Sequence, residues 1–358
     1  MADIPSKLRI GILFGGRSAE HDVSVLSASN VLKALAPEKY EAVPIFVTRD
    51  GRWLLSSFED GVLARLSSGT ELCLVPGGRG RVVTLAQDGT PYEFVKLDII
   101  FPVLHGLHGE DGAVQGLAEV ARIPLAGCGI IGSANALDKD IAKRLFNQAR
   151  VPAARSVTIY QENIPSLSDL KEKLGLPIFI KPARQGSSVG VSKVSMETDY
   201  GEALAAGFLH DSKLLAEEFI QGREIECAVL EDENGNLFVS RTGEIVPAER
   251  HGFYTYDAKY IDQEGAALRI PADLPEKVEE EIRSMARIAF KALGCDGMAR
   301  VDFFVTADMR ILINELNTIP GFTDISMYSK VMNASGVSYP EIIDRLVLHG
   351  LARAERTV

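Results

Sequence analysis

The sequence predicts a protein of the α/β class, in which strands and helices alternate. Residues 8–35 give the first observation, a short apolar run that ends at a pair of glycines and is followed by a helical pattern. Strand, glycine turn and helix in this order are typical of the opening of a doubly wound α/β unit, whose ligands gather at the carboxyl ends of the strands. The second observation is the stretch 276–317, where an amphipathic helix precedes two strands joined by a turn. A chain of 358 residues is long enough for two or three domains.

The composition excludes several classes of protein. Hydrophobic residues make up 46% of the chain and charged residues 24%, as in an ordinary globular protein. No apolar run approaches the ~18–20 residues that span a bilayer, and the start of the chain lacks the pattern of a signal peptide. The net charge of −11 argues against nucleic-acid binding, which usually requires a basic face. The four cysteines are widely spaced and form no C-x-x-C pair, which favours reduced thiols and a cytoplasmic enzyme.

The first third of the chain predicts a sheet with a glycine-rich loop at its edge. Strands are expected at 43–47, 53–55, 72–75, 82–85, 92–95 and 97–104. The last strand leads into residues 105–112, which contain three glycines, two histidines and two acidic residues. This loop is a candidate site, or else a polar capped loop that precedes a helix at 113–121. Glu20 lies at the start of the first helix, where on its own it is better explained by the helix dipole than as a ligand.

The middle of the chain has the features of a nucleotide-binding unit. Helices are expected at 135–149 and 166–174, and strands at 157–159, 177–182, 214–220 and 222–230. The loop 183–191 contains five small residues, among them Ser187 and Ser188, whose N–H groups and hydroxyls suit a phosphate. It lacks the P-loop order, and a plain hairpin turn is the alternative. Glu217 and Glu224 flank the next connection, where they could hold a nucleoside through backbone and ribose contacts, or could simply be solvated.

A strand, turn and strand over residues 300–317 predict a metal site. If the loop is centred on 308–309, Asp302 lies opposite Glu315 and Arg300 opposite Asn317. Paired residues have Cβ atoms ~4.5–5.5 Å apart, so the two carboxylates would repel each other unless a cation lies between them. Two carboxylates and an amide offer the hard oxygens that suit Mg²⁺ carrying nucleotide phosphates. A surface hairpin with scattered charges is the alternative.

Three further segments complete the prediction. Residues 249–269 combine polar aromatics, charges and glycines without a clear period, and a loop of that length in a compact enzyme is usually a lid. The helix at 276–293, capped by Gly294, carries an apolar stripe that is expected to form core. The final helix, at 340–351, is also expected to serve packing.

Five segments carry a resemblance to a known family. They are Phe14–Ser24, His105–Gly112, Lys181–Pro182 with Gly186–Gly190, Tyr254–Tyr260, and Arg300–Asp302 with Asn314–Gly321. Each is a weak signal alone, but the five in this order resemble the ATP-grasp ligases, and within them the D-alanine–D-alanine ligases. The resemblance extends from Gly11 to about Leu348. One departure is the pair Glu218 and Phe219, where many relatives carry a basic residue and Trp.

The resemblance implies a three-domain ATP-grasp fold. An N-terminal doubly wound α/β domain would be followed by two α+β domains that clamp ATP, and we assign these domains to residues 1–130, 131–215 and 216–358. It implies ATP as a substrate and two Mg²⁺ ions, which Mn²⁺ could replace. Two molecules of D-alanine would be the partners of the reaction, and we expect a homodimer that binds neither nucleic acid nor a membrane.

The resemblance also implies which residues bind the metal ions and the nucleotide. The metal ligands would be Asp302, Glu315 and Asn317. Lys139 and Lys181 would contact the phosphates, Lys181 would also reach the adenine, and Glu224 would hold the ribose. The full set of ATP-binding residues would be Lys139, Lys181, Ser188, Glu217, Phe219, Glu224 and Lys259.

For the amino-acid substrates, Glu20 would pair with the ammonium of the first D-alanine, with Ser187 and His105 beside it. Ser326 would help bind the carboxylate of the second D-alanine. Arg300 and the N–H of Gly321 would stabilise the oxyanion, and Tyr260 would close over the site from the lid. ATP would convert the first D-alanine into an acyl phosphate, which the amine of the second would attack.

Three alternatives remain open at this point. The first is a D-alanine–D-lactate ligase on the same fold, against which Tyr260 argues because ester-forming members place Phe or a different His loop there. The second is a non-catalytic nucleotide-binding regulatory protein, which would not need an oxyanion arginine such as Arg300. The third is an ATP-grasp enzyme of the purine or carboxylase type.

Overall fold

The computed structural model describes residues 7–85, 90–93, 96–247 and 266–356. Most of the predicted lid, including Lys259 and Tyr260, lies outside these residues, while residues 266–269 form a strand. The described strands form three larger sheets and one small hairpin.

The N-terminal part contains the largest sheet. Its strands and those of the hairpin are β1 (Leu8–Gly15), β2 (Tyr40–Val47), β3 (Trp53–Leu55), β4 (Phe58–Glu59), β5 (Val62–Leu63), β6 (Glu71–Leu74), β7 (Val82–Leu85), β8 (Pro91–Glu93) and β9 (Ile99–Pro102). The sheet has seven strands in the order β8-β7-β6-β3-β2-β1-β9, and β4 pairs with β5. β1 is parallel to β2 and β9, whereas the other pairs are antiparallel. The predicted strand 97–104 is shorter in the structure because its two ends continue as loop.

Helices cover both faces of this sheet. Helix α1 (His21–Ala34) packs on one face, where Phe14 and Val25 belong to one apolar core. Helix α2 (Ala113–Ala121) packs on the other, where Leu13 and Val114 share a second core. This arrangement confirms the doubly wound α/β unit. Because β1 and β9 are parallel neighbours, the glycine pair after β1 and the loop after β9 emerge at the same edge of the sheet.

The single helix predicted at 135–149 is wrong, since two helices occupy this region. They are α3 (Ile130–Leu137) and α4 (Lys139–Gln148), which are separated by Asp138 in an extended conformation. The Asp138 carboxylate accepts hydrogen bonds from the backbone N–H groups of Asp140 and Ile141, so the residue begins α4 as its N-cap. The consequence is that Lys139 occupies the first position of a new helix.

The central sheet has four antiparallel strands and is covered by two helices. Its elements are β10 (Ser156–Tyr160), α5 (Leu167–Leu174), β11 (Ile178–Pro182), β12 (Ser192–Val194), α6 (Glu197–Phe208) and β13 (Lys213–Glu218), with the strand order β10-β13-β11-β12. Sequence analysis missed α6, because its two glycines and its small residues weaken the apolar pattern. Gly207 is needed there, since a Cβ would lie 2.9 Å from the Leu214 side chain.

The C-terminal sheet has six strands between helices. Its elements are β14 (Gly222–Glu231), β15 (Leu237–Val239), β16 (Gly243–Pro247), β17 (Ala266–Arg269), α7 (Glu276–Ala292), β18 (Met298–Thr306), β19 (Ile311–Asn317), α8 (Met327–Ala334) and α9 (Tyr339–Arg356). The strand order is β17-β16-β14-β18-β19, and β15 also pairs with β14. Helix α7 is the predicted helix, and Gly294 follows it with a positive φ of 70°. Helix α8 was not predicted, and α9 is longer than predicted.

The hairpin of β18 and β19 has the predicted pairs, although the loop is centred differently. Arg300 pairs with Asn317 and Asp302 with Glu315, whereas Phe303 pairs with Ile313, so Asn314 is an extra residue. The three residue pairs next to the loop are centred on position 308. Farther from the loop, the bulge at Asn314 shifts the pairing register by one residue. The bulge therefore puts Glu315 and Asn317 on the same face of the sheet as Arg300 and Asp302, away from the buried Ile313.

The apolar cores do not follow the predicted domain boundaries closely. Helices α3 and α4 contribute to the core under the C-terminal sheet, through Ala136 and Phe146. Strand β13 crosses residue 215 and pairs along its length with the central strands β10 and β11. We therefore propose that the central domain is the segment that carries β10 to β13. None of the described helices combines the length and the apolarity needed to cross a bilayer.

Candidate active site

Two adjoining cavities gather the residues that the sequence singled out. The first, of about 680 Å³, lies between the central and C-terminal sheets. The predicted nucleotide residues on its wall are Lys139, Lys181, Ser188, Glu217, Phe219 and Glu224, and the predicted metal ligand Glu315 lies there too. The second, of about 770 Å³, opens toward the N-terminal domain. The predicted catalytic and substrate residues on its wall are Glu20, His105, Ser187, Arg300, Gly321 and Ser326, and the predicted metal ligands Glu315 and Asn317 lie there too.

The two cavities meet at Ser187 and Glu315, which line both. Ser187 belongs to the predicted phosphate loop, and Glu315 belongs to the predicted metal hairpin. A nucleotide bound in the first cavity with its phosphates toward this junction would therefore place its terminal phosphate beside the second cavity. Such an arrangement suits transfer of a phosphoryl group to a molecule bound in the second cavity.

Lysines in the nucleotide cavity are paired with carboxylates. Glu217 is buried and accepts from Lys181 through one oxygen, while its other oxygen lies 2.6 Å from the Nζ of Lys143. Burial raises the pKa of Glu217, but the charges of Lys181 and Lys143 prevail and lower it below its usual value, so the carboxyl is ionised. Lys143 is buried and is not part of the cavity wall, and burial lowers its pKa, so Lys181 is the lysine of this group that faces a ligand.

Lys139 approaches the metal hairpin from the other side. Its Nζ lies 3.4 Å from Oε2 of Glu315 and donates a 2.7 Å hydrogen bond to the backbone oxygen of Gln185, in the phosphate loop. Its backbone N–H donates to Ala183 O, at the start of the same loop. The first residue of α4 therefore ties the phosphate loop to the hairpin.

The hairpin residues form one hydrogen-bonded group. Arg300 donates from Nε and Nη2 to the two oxygens of Asp302, at 2.8 and 2.7 Å. Asn317 donates from Nδ2 to Asp302 Oδ2 at 3.2 Å, and Glu226 Oε2 lies 3.0 Å from Arg300 Nε. Burial opposes the charged form of Arg300, but the charges of Asp302 and Glu226 outweigh it and raise the pKa of Arg300 well above its usual value.

Glu20 faces the substrate cavity instead of capping its helix. It precedes α1 but makes no capping hydrogen bond through its side chain, and Oε1 accepts the hydroxyl hydrogen of Ser187. Ser187 and Ser188 both have a positive φ, of 52° and 60°, a conformation that non-glycine residues rarely adopt. This contact joins the N-terminal domain to the phosphate loop, and it favours the ligand interpretation of Glu20 over the helix-dipole one.

His105 fixes a loop of the C-terminal domain. Its Nδ1 lies 3.0 Å from the carbonyl oxygen of Ile319, which can only accept, so this nitrogen carries the hydrogen. Its Nε2 lies 3.3 Å from the hydroxyl of Ser27 and can accept the hydrogen of that group. The Ser27 oxygen in turn accepts from the N–H of Phe322. Burial lowers the pKa of His105. A neutral imidazole that bridges two domains is a better positioning group than a substrate ligand.

Glu110 holds the same loop from the other side. Its two oxygens accept from the N–H of Gly106, at 2.8 Å, and from the N–H of Ile319, at 3.0 Å. Burial, with the nearby charge of Glu20, raises the pKa of Glu110 to about 8. Sequence analysis included Glu110 in a candidate loop but gave it no role of its own.

Gly321 and Ser326 are close neighbours in the loop that follows β19. A Cβ at Gly321 would lie 2.7 Å from Oγ of Ser326, so the backbone approaches this hydroxyl more closely than a side chain would allow. Ser326 accepts from the N–H of Thr323 at 2.9 Å. Both residues line the substrate cavity together with Arg300.

Comparison with known proteins agrees with this geometry. Residues 9–128 match the family model described as D-ala D-ala ligase N-terminus, and residues 145–348 match the one described as D-ala D-ala ligase C-terminus. The chain is 72% identical over 347 residues to the D-alanine--D-alanine ligase A of Brucella suis biovar 1 (strain 1330), which covers 97% of this chain and 98% of that protein. The chain belongs to the D-alanine–D-alanine ligase family.

Solved structures of the D-alanine–D-alanine ligase family and its neighbours have the same fold. The structure of the D-alanine-D-alanine ligase from Coxiella burnetii has a TM-score of 0.85 at 34% identity, over 98% of this chain and 96% of that one. The VanG D-Ala:D-Ser ligase from Enterococcus faecalis has a TM-score of 0.84 at 34% identity, over 96% of this chain and all of that one. Family membership confirms the ATP-grasp fold, and it makes this chain an ATP-dependent ligase that forms a peptide bond.

The departure from the family pattern at Glu218 and Phe219 has a local explanation. Glu218 accepts from the backbone N–H and the Nε of Arg155, both at 2.7 Å, and Arg155 also bonds carbonyl groups at the end of α5. Phe219 lies 6.0 Å from Phe179 between ring centroids, with Lys193 5.1 Å from its ring. The reversed charge at Glu218 is therefore matched by Arg155, and two aromatic rings remain at the cavity.

Sequence analysis missed two charged residues of the site. Lys143 lies in the predicted helix 135–149 and was given no role, although it follows Lys139 by four residues, a spacing that puts both on one helix face. Glu226 follows Glu224 by two residues in β14, a spacing that puts both on one face of a strand. The spacing in the sequence therefore indicated that each residue shares a face with a predicted site residue, but it could not indicate which groups each residue contacts.

Proposed function

We propose that this chain joins two molecules of D-alanine to D-alanyl-D-alanine, a peptidoglycan precursor, with ATP converted to ADP and phosphate. The observation that carries this proposal is the junction of the two cavities at Ser187 and Glu315, between the nucleotide residues and the substrate residues. The name of the family refers to the same substrate, D-alanine. Of the alternatives, the ester-forming ligase and the non-catalytic regulator lack support from the comparisons, in which relatives such as the Mesorhizobium japonicum protein, 54% identical over 352 residues, are D-alanine--D-alanine ligases.

The nucleotide occupies the first cavity in this proposal. Phe179 and Phe219 offer apolar faces for the adenine, and Glu224 accepts hydroxyl hydrogens of the ribose. Lys181 and Lys139 neutralise the phosphates from opposite sides, while the hydroxyl and N–H groups of Ser188 and its neighbours donate to them. The presence of both lysines on the cavity wall supports this assignment.

Asp302, Glu315 and Asn317 suit two Mg²⁺ ions. They present carboxylate and amide oxygens on one face of the hairpin, as the register of β18 and β19 shows, and Mg²⁺ prefers hard oxygen ligands. When bound, the metal ions would supply charge neutralisation for the transferring phosphoryl group. The charge balance agrees, because Glu226, Asp302 and Glu315 carry three negative charges against Arg300 and Lys139. Mn²⁺, which favours the same ligands, could replace Mg²⁺.

The first D-alanine binds in the second cavity, with its ammonium at Glu20 and its carboxylate toward the phosphate junction. Ser187 holds Glu20 in place, and His105 with Glu110 fixes the loop that carries Gly321. The carboxylate oxygen attacks the terminal phosphorus of ATP, the bond to ADP breaks, and an acyl phosphate forms.

The amine of the second D-alanine then attacks the acyl carbon. Negative charge develops on the carbonyl oxygen, where Arg300 and the N–H of Gly321 donate, and phosphate leaves as the amide forms with loss of a proton. One such donor contributes on the order of 3–4 kcal/mol in well-studied enzymes. Ser326 donates to the carboxylate of the second substrate. Lys259 and Tyr260, outside the described residues, remain predicted lid residues that exclude water from the acyl phosphate.

Two further parts of the proposal concern the protein as a whole. We propose a homodimer, as expected for this family, and a cytoplasmic location, because the reaction consumes ATP. Size-exclusion chromatography with light scattering tests the first, since a monomer of 38.8 kDa and a dimer differ twofold in mass.

The test of the reaction is a product analysis. The purified chain is incubated with ATP, Mg²⁺ and D-alanine, D-serine, D-lactate or L-alanine, and ADP, phosphate and ligated product are counted. We expect one ADP and one phosphate per D-alanyl-D-alanine, and no turnover with L-alanine alone. Phosphate release without dipeptide, or a preference for D-lactate as acceptor, would overturn the proposal.

A further inference from the structure

We propose that Glu226 is a positioning residue that holds Arg300 during amide formation, when Asp302 is engaged as a metal ligand. This inference rests on the role proposed above for Arg300 as the oxyanion donor. Glu226 lies on β14, outside every segment that carries the family resemblance, and directly across the sheet from Asp302.

The contacts show two carboxylates competing for one nitrogen. The Nε–H of Arg300 donates to Asp302 Oδ1 at 2.8 Å, and Glu226 Oε2 lies 3.0 Å from the same Nε. The Nη2 of Arg300 donates to the other oxygen of Asp302, which also accepts from Asn317. Both oxygens of Asp302 are therefore committed to hydrogen bonds with its neighbours.

A metal ion at Asp302 changes this balance. Carboxylate lone pairs that coordinate a divalent cation are less available to Arg300, and the positive charge of the metal repels the guanidinium. Arg300 would then need another anion, because a largely buried cation that loses its partner is strongly destabilised. Glu226 can take over the Nε–H with little movement of either side chain, since its oxygen already lies at hydrogen-bonding distance.

The burial of Glu226 makes it a firm anchor. The residue is 6% exposed and Asp302 is 8% exposed, and each lies in the middle of a strand between paired neighbours. Low exposure strengthens the attraction between Glu226 and Arg300 by reducing solvent screening. A donor held in this way needs no reorganisation at the moment when charge develops on the substrate, which is the property required of an oxyanion site.

The inference predicts a specific defect when Glu226 is changed. Phosphoryl transfer from ATP to D-alanine relies on the lysines and the metal ligands, so the acyl phosphate should still form. Amide formation needs Arg300 in place. If this step is slowed, water attacks the phosphorus of the acyl phosphate instead, which breaks the P–O bond and develops no charge on the carbonyl oxygen. Hydrolysis then returns D-alanine and releases phosphate, so ATP is consumed without dipeptide.

The experiment compares Glu226→Gln and Glu226→Asp with wild type. Gln keeps the shape but removes the charge, and Asp keeps the charge but withdraws it by one methylene. Phosphate and D-alanyl-D-alanine are counted in the same reaction, and KM for ATP is measured. We expect the dipeptide rate to fall at least ~10-fold, with phosphate per dipeptide rising from one to about three or more and KM for ATP within about twofold, as for loss of a transition-state interaction.

Two further variants separate the ways in which the inference can fail. Glu279→Gln is the matched control, because Glu279 is 8% exposed and pairs with Arg241 at 2.7 Å outside the cavities. If both glutamine variants lose activity in parallel with thermal stability and keep one phosphate per dipeptide, Glu226 is merely structural and the inference is overturned.

Arg300→Gln should uncouple phosphate release from ligation more strongly than Glu226→Gln. If Arg300→Gln stays fully coupled, the proposed role of Arg300 falls and the inference falls with it, whereas uncoupling by Arg300→Gln alone overturns only the inference.

Discussion

At the scale of single residues, the site is built from opposite charges that hold one another in place. Lys181 is paired with Glu217, Lys139 with Glu315, and Arg300 with Asp302. A pair of this kind orders long side chains, which would otherwise lose rotamer entropy when a ligand binds. In the proposed complex, the phosphates of ATP can then replace the carboxylates as partners of lysines whose side chains are already ordered.

Glu315 lines both cavities and is the subject of the first prediction. Glu315→Gln keeps the size of the side chain but removes the charge that would bind metal ions and pair with Lys139. We expect dipeptide formation at saturating Mg²⁺ to fall at least ~100-fold, because metal-ion stabilisation is worth several kcal/mol. Turnover is measured beside Glu341→Gln, a control in which an exposed glutamate bonded to Arg345 is changed. Turnover within about tenfold of wild type, with unchanged thermal stability, would rule out the metal hairpin.

Glu110 supplies a prediction about pH. Its pKa is raised from 4.5 to about 8, so between these values the unfolded state has lost a proton that the folded state keeps. The unfolded state therefore binds fewer protons, and the free energy of unfolding should fall as pH rises, by up to about 1.4 kcal/mol per pH unit for this group. The stabilising contribution is complete below about pH 4.5 and is lost by about pH 8.

Glu110→Gln removes the titrating proton, and urea denaturation at pH 5, 6, 7 and 8 measures the effect. The amide cannot accept both backbone N–H groups, so the variant should be destabilised by a constant offset. What matters is the difference in unfolding free energy, wild type minus variant, which should decrease steadily as pH rises. A difference that is flat from pH 5 to 8 would show that Glu110 is ionised throughout.

At the scale of elements, the hairpin and the loop after it position the chemistry. The bulge at Asn314 turns Glu315 and Asn317 to the face that carries Arg300 and Asp302. From the end of β19 the chain enters the loop 318–326, which N-terminal residues hold at Ile319 and Phe322. Gly321, the proposed oxyanion donor, lies between these two anchors, so its position is set by another domain.

The anchor at Asn30 supplies the third prediction. Its Nδ2 donates to Phe322 O, at 3.2 Å, and to Asp324 Oδ1, at 3.0 Å. Asn30→Ala removes both bonds, so the loop should hold the second substrate less well. We expect KM for D-alanine to rise about fivefold, as for the loss of ~1 kcal/mol, with KM for ATP unchanged. Asn135→Ala is the control, because Asn135 makes a similar helix-to-loop bond to Leu293 O at 2.9 Å elsewhere. An equal effect of both variants would mean that the contact only stabilises the fold.

Sequence patterns predicted the hairpin pairs but for an incomplete reason. The pairing of Asp302 with Glu315 follows from assuming a loop centred on 308–309, whereas the structure reaches it through a loop centred on Asp308 and a bulge. The sequence does contain a trace of the bulge, since the apolar alternation of Ile311 and Ile313 resumes at Leu316 after a gap of three. The contact of His105 with the C-terminal loop and the pairing of Glu226 with Arg300 from the neighbouring strand could not be predicted, because both depend on how separate elements pack.

At the scale of the whole molecule, the described residues form units whose apolar cores differ in size. One apolar core runs from the N-terminal sheet into the C-terminal part, and it includes Phe14, Phe101, Phe322 and Tyr328. The central sheet has a smaller core of its own, with Ile159, Leu170, Ile180 and Leu214. The nucleotide cavity lies between this smaller unit and the C-terminal sheet, so a bound nucleotide would connect the two.

This arrangement predicts that the nucleotide stabilises the central sheet selectively. A unit with a small separate core should open locally at a lower free energy than the shared core, and a ligand that binds only the closed form should suppress that opening. We expect amides of β10, β11 and β13 to exchange at least tenfold more slowly when ADP and Mg²⁺ are added. Amides of β1 and β9 serve as the internal control and should change little, because no residue of either strand lines the nucleotide cavity. Hydrogen exchange followed by mass spectrometry measures both sets in one experiment. Equal slowing of all five strands would show that the chain opens as a single cooperative unit. No slowing in the central strands would mean that nucleotide binding does not depend on their closure.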